Sequence, residues 1–122
     1  VILNVQGPLI QTDKGSVGTG TVTFDASANA VNGKTKQKLT VTGSLTVAFS
    51  NWPATGKYGE VEIQLVNGGS ATVTWPTVSW LKGDGTNSTT FSTMGVTLYT
   101  SGVNSIMLWS YDAGTTVYGR AA

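Results

Sequence analysis

The sequence predicts an all-β domain, a single sandwich or jelly-roll of antiparallel strands over residues 1–122 with no significant helix. Three observations point there. Apolar residues alternate with Thr, Gln, Glu and Lys in several segments, the period of a strand with one buried face. Gly- and Asn-rich turn signals separate those segments. No stretch carries a helical period, and many short strands with Gly-rich turns mean two packed sheets. The chain has 122 residues, enough for one core, and only 11% are charged, against about one quarter in most proteins. Thr, Ser and Asn therefore do the solvating, as on a β-sheet surface.

The clearest pattern runs over residues 59–76. Val61, Ile63 and Leu65 alternate with Glu60, Glu62 and Gln64, and Val73 and Trp75 alternate with Thr72 and Thr74. A β-hairpin with its turn at Asn67, Gly68 and Gly69 is expected. A three-residue loop sets Leu65 opposite Ala71, Ile63 opposite Val73 and Val61 opposite Trp75, all on one face. A two-residue loop would set apolar residues against polar ones. Gly69 is then expected in the left-handed conformation, and Pro76 ends the strand.

The other segments follow in order. Val1, Ile2, Leu3 and Val5 form an apolar start with two oily faces, ended by Gly7 and Pro8. Such a strand needs covering twice, so residues 1–6 are expected to exchange with a neighbouring subunit or dock on a larger particle, Val1, Ile2, Leu3 and Val5 being the interface residues, the alternative being an ordinary edge strand within the monomer. Val1 is not Met, which suggests processing or a cut from a longer chain. Residues 11–20 read as a polar loop, 21–25 as a strand with Val22 and Phe24 inward, and 26–36 as another loop. Leu39, Val41, Leu45, Val47 and Phe49 share one parity through Gly43, which fits either a hairpin at Thr42, Gly43 and Ser44 or one bent strand. Residues 77–94 are the longest irregular stretch, and 96–100 read as a strand. Residues 105–111 are apolar on both faces and belong centrally. Asp112, Ala113 and Gly114 close a second three-residue hairpin, with Gly114 expected in the left-handed conformation, that sets Trp109 opposite Val117 and Leu108 opposite Tyr118.

Most chemistry is excluded by what the chain lacks. It has no Cys and no His, so there is no disulfide, no thiolate metal site and no Ser-His triad. No cofactor loop, metal set or catalytic residue is expected. Net charge is +1, which gives no electrostatic case for nucleic acid, and no apolar run is long enough for membrane insertion. Lys34, Lys36 and Lys38 read as a solvated face. Glu60 and Glu62 stand about 7 Å apart on one strand face, within the spacing of inverting glycosidases, but an exposed pair with no tuned environment reads as solvated surface. Asp84 and Asn87 sit in a polar loop tip without the carboxylates of a calcium loop. Trp75 and Trp109 are expected inward. Trp52 and Trp80 fall in loops, where they cover a sandwich end or, with Asp84 and Asn87, form an exposed binding surface.

Three stretches carry a resemblance: residues 42–56 (TGSLTVAFSNWPATG), 65–76 (LVNGGSATVTWP) and 112–119 (DAGTTVYG), with Val78, Ser79 and Trp80 between. Together they resemble a family of small β domains in tailed-bacteriophage virion proteins, of the tail-fibre, head-fibre and capsid-decoration type. The resemblance covers the second two-thirds of the chain and rests on turn and packing residues. It implies a non-enzymatic structural protein on the virion surface, a decoration protein or a receptor-binding tip. It also implies self-association, with a homotrimer expected, contacts to other virion proteins, and a host-surface glycan as a ligand. The alternative is a carbohydrate-binding β-sandwich module using Trp52 and Trp80.

Overall fold

The computed structural model describes residues 12–26 and 36–121, so the expectation for Val1, Ile2, Leu3 and Val5 lies outside the described residues. Among the described residues, ten strands form two sheets. They are β1 (Thr12–Val17), β2 (Thr21–Asp25), β3 (Lys36–Val41), β4 (Leu45–Ser50), β5 (Gly59–Val66), β6 (Val73–Thr74), β7 (Ser79–Leu81), β8 (Asn87–Ser88), β9 (Val103–Ser110) and β10 (Tyr118–Ala121). The larger sheet has the order β1-β3-β5-β9-β10-β7-β8, the smaller β2-β4-β6. Two short 3₁₀ turns, Gly68–Ser70 and Phe91–Met94, are the only helical pieces among the described residues. The all-β, two-sheet architecture is the one expected.

The connectivity is not. From β1 to β6 the chain passes from one sheet to the other at every step. Successive passes stack in parallel, pairing Val17 with Val41, Thr21 with Thr46 and Leu39 with Leu65. The first half is thus a flattened coil of parallel rungs. Its alternation still reads as expected, because a strand in either sheet turns every second side chain toward the shared core. Val22, Phe24, Leu39, Val41, Leu45, Val47, Val61, Ile63 and Leu65 are all buried.

The hairpin expected over residues 59–76 is therefore an arc. β5 lies in the larger sheet and β6 in the smaller, and β6 pairs with β4 instead, Leu45 facing Val73. Asn67 takes the left-handed conformation (φ 57°), whereas Gly69 does not have positive φ. A Cβ on Gly69 would run into the Leu98 carbonyl, and its N–H donates to Tyr99 O at 2.9 Å. The glycine is needed there for close approach of two backbones. The segment around Gly43 is neither a hairpin nor a bent strand but a second arc, stacked on the arc at Gly18. A Cβ on Gly43 would lie 2.5 Å from the Gly18 oxygen.

Two other expectations change. Residues 12–17 form an edge strand instead of a loop. Its pairing shifts between Asp13 and Ser16, where Gly15 has φ 78° and donates to Asp13 Oδ1 at 2.8 Å. A bulged, charged edge resists pairing with stray chains. Residues 96–100 form no ladder. The carboxamide of Asn104, only 1% exposed, holds them: Tyr99 N–H donates to Oδ1 and Nδ2 donates to Thr97 O, each at 3.0 Å.

In the second half, β9 is central as expected, flanked by β5 and β10 in antiparallel register. The turn after it is longer than expected, because Tyr118 faces Trp109 and Gly119 faces Leu108. Ser110, buried, accepts the Gly114 N–H at 3.0 Å and donates to Asp112 Oδ1, which also accepts the Thr116 N–H at 2.8 Å. That cradle holds a wide turn in which Gly114 is left-handed (φ 83°), as expected.

Candidate functional site

The expected exposed-loop site is not assembled. Trp80 is 1% exposed and packs edge-on against Trp75 and Phe91, ring centroids 5.3 and 4.9 Å away. Trp52 is half-buried against Phe49, and its indole occupies the space a Cβ on Gly114 would take, so it covers the sandwich end. Asp84 and Asn87 are exposed, but both hold the β7–β8 hairpin. Asp84 Oδ1 accepts the Thr86 N–H and hydroxyl, and Asn87 Nδ2 donates to Ser79 Oγ at 2.9 Å. Those Thr86 bonds, the hydroxyl's above all, lower the Asp84 pKa below the ordinary carboxylate value. The depression that Trp52 lines is bordered by Phe49, Pro76 and Val117, not by Asp84 or Asn87.

The arrangement most capable of recognition lies elsewhere, on the outer face of the larger sheet. Asn104, Ile106, Leu108 and Ser110 of β9 point inward, so Ser105, Met107 and Trp109 point outward. Trp109 was expected inward. β9 is apolar on both faces, so its pattern does not choose a side, and the polar pair Asn104 and Ser110 is what turns to the interior, each satisfied by hydrogen bonds. Registers then build a grid. One row holds Glu60, Trp109 and Tyr118; the next holds Lys36, Glu62, Met107 and Arg120.

A groove of about 460 Å³ opens on this face. Tyr58, Trp109 and Tyr111 give its aromatic walls, with Met107 as an apolar floor and Glu60, Ser105 and Arg120 as polar groups. Its size falls within the roughly 300–1,000 Å³ of small-ligand sites. Tyr58 and Tyr111 are 45% and 55% exposed and lie 5.1 Å apart at 50°, leaving ring surface open to solvent. Tyr118 stacks on Trp109 at 6.1 Å and fixes the indole from outside the groove.

Each carboxylate of the face is held. Tyr58 OH donates to Glu60 Oε2 at 3.1 Å. Partial burial, then the adjacent Glu60 charge, push the Tyr58 phenol up to about 12. Lys36 Nζ contacts Glu62 Oε1 at 2.8 Å, and Gln64 and Ser105 donate to its other oxygen. The Lys36 bond is the main cause of a lowered Glu62 pKa. The two glutamates therefore share a strand face as the sequence implied, but different partners hold them.

Sequence reasoning passed over Tyr58, Tyr111 and Arg120, and placed Trp109 in the core. A signal was present. Tyr58 with Glu60, Trp109 with Tyr111, and Tyr118 with Arg120 are three aromatic-bearing pairs at the same-face spacing of two. No group of three or more potential metal ligands occurs among the described residues, and no described helix is long and apolar enough to cross a membrane. No family model, curated protein or solved structure matches the chain.

Proposed function

We propose that this chain is a non-catalytic glycan-binding domain displayed on the surface of a tailed-phage virion. The observation that carries the reading is the groove walled by Tyr58, Trp109 and Tyr111 with a few fixed polar groups between them. A pyranose has an apolar C–H face and a hydroxyl rim. Aromatic faces take the first, and Glu60, Ser105 and the Tyr58 hydroxyl suit the second. Two carboxylates on the same face and a net charge of +1 disfavour a polyphosphate chain.

The virion setting rests on the resemblance over residues 42–56, 65–76 and 112–119. Within it, the groove favours a receptor-binding tip, since capsid decoration requires no ligand pocket. Decoration or homotrimer formation remains the second reading. It is favoured by the regular outer edge of β2, with which no further described strand pairs. A parallel edge of this kind accepts strand addition.

The experiment is glycan-array binding by the full chain, with Trp109→Ala alongside. We expect retention of at least one saccharide class and a loss of about tenfold or more in affinity for the variant, with an unchanged circular dichroism spectrum. No retained glycan, or full binding by Trp109→Ala, would overturn the glycan reading. Mass spectrometry of purified particles tests the virion setting, where absence of these peptides would remove it.

A further inference from the structure

Resting on the glycan reading of the same groove, we infer that its saccharide is acidic and that Arg120 receives the sugar carboxylate. Arg120 is exposed and lines the groove, yet its guanidinium makes no hydrogen bond or ion pair among the described residues. The described carboxylates of this face, Glu60 and Glu62, are engaged elsewhere. Glu62 shares its row but lies two strands away, about 10 Å by strand spacing, with Met107 between and Lys36 already on it. Glu60 is two strands across and one side-chain repeat along, about 12 Å from Arg120 by the same geometry, and it accepts the Tyr58 hydroxyl.

The groove is thus polarised. A held carboxylate stands at the β5 end and, at the β10 end, a cation with no partner among the described residues, with Trp109 and Met107 between them. Arg120 also borders a second depression of about 410 Å³ that Lys82 lines, which adds positive charge beyond the groove's cationic end. Lys82 is only loosely tied, 3.9 Å from Asp84. A neutral sugar would leave the guanidinium in water. An acidic one places a planar carboxylate against a planar fork of donors, the strongest pairing available to arginine. Stacking on the aromatics would fix the ring, and Arg120 would set the preference for charge.

The test uses two matched pairs: sialyllactose against lactose, and galacturonate oligomers against galactose oligomers of equal length. Binding by wild type, Arg120→Gln and Trp109→Ala is measured by calorimetry at low and moderate salt. We expect wild type to favour the acidic member of at least one pair by about tenfold, the size of a charged hydrogen bond. That preference should shrink as salt rises. Arg120→Gln should lose the preference while keeping neutral-sugar binding, and Trp109→Ala should lose both. Which pair responds separates a sialic from a uronic carboxylate. Equal affinity within both pairs, or an acidic preference that survives in Arg120→Gln, overturns the inference and leaves the glycan reading standing. Binding of none of the four sugars overturns the inference, and no glycan retained on the array overturns the glycan reading as well.

Discussion

The two halves of the molecule use the same alternation to different ends. In the first, β1, β3 and β5 stack in parallel, as do β2, β4 and β6 in the facing sheet, and the described connections between them run from one sheet to the other. In the second, β5, β9 and β10 run antiparallel, and the one wide turn between β9 and β10 stays within its sheet. Inward residues are mostly apolar in both, with Gln37 buried in the first and Asn104 and Ser110 in the second. The difference lies on the outer face. The parallel rungs present Lys36, Lys38, Thr40 and Gln64, a solvated surface, whereas the antiparallel strands present Trp109, Met107, Tyr118 and Arg120. Parallel sheets usually have both faces covered; here the apolar outer surface is confined to the antiparallel half, where the groove sits.

The largest test asks whether the halves share one core. Phe24→Ala in the coil and Trp80→Ala in the second half each empty a fully buried aromatic position. Each should cost about 3–5 kcal/mol. We expect a single denaturant transition with an unchanged slope in both variants. A reduced slope in Phe24→Ala alone would mean that the first rungs melt separately from β9 and β10.

Next in size is the polar pin of the second half. Asn104→Ala removes the donor and acceptor that hold residues 97–99 and leaves the Tyr99 N–H and the Thr97 carbonyl without that partner. We expect a loss of about 1–3 kcal/mol, with faster amide exchange over residues 96–100 and none over β3 or β4. Uniformly faster exchange would argue that the loss is global.

Two left-handed glycines give a smaller and cleaner contrast. Gly85 (φ 86°) has open space where a Cβ would go, while Gly114 (φ 83°) has the Trp52 indole there. Gly85→Ala should cost on the order of 1 kcal/mol from backbone strain alone, and Gly114→Ala more than that. Thermal unfolding of the pair measures the difference, and equal shifts would show that Trp52 moves aside freely.

The smallest effect is in acid. Glu62, Asp84 and Asp112 all have lowered pKa values, through Lys36, the Thr86 hydroxyl and the Thr116 N–H respectively. A lowered folded pKa contributes stability that is complete above the ordinary carboxylate range and disappears as pH falls through the folded value. Unfolding free energy should therefore stay flat from neutrality down to about pH 5 and decline below about pH 4. Glu62→Gln, which acts at the parallel half, should flatten part of that decline. With no His in the chain, no step is expected between pH 6 and 7.

Much of the fold was legible in the residues. Val22, Phe24, Leu39, Val41, Leu45, Val47, Val61, Ile63 and Leu65 announce their burial by period alone, and Gly114 announces its positive φ by its place after Asp112 and Ala113. The ladder partners were not legible. An arc and a hairpin both return the chain with its apolar residues facing the same core, so Val61 to Trp75 fits either. The site was less legible still. Trp52 and Trp80 look available because they lie outside the alternating segments, yet both have aromatic or glycine neighbours to pack on. Trp109 looks buried because its strand is oily on both sides.

By itself the sequence determined the all-β class, the inward residues of the alternating segments over 21–25, 39–49 and 61–65, and the absence of His and Cys chemistry. These are local or compositional properties, read from side chains one or two positions apart. Only the tertiary structure decided that the first six strands coil in parallel, that Asn104 and Ser110 take the inner side of β9, and that Tyr58, Trp109, Tyr111 and Arg120 meet on one face. The physical reason is that a strand's period names its buried side but not its neighbour. Neighbours are chosen by backbone pairing across distant segments, and a strand apolar on both faces is oriented by whichever polar groups can be satisfied inside.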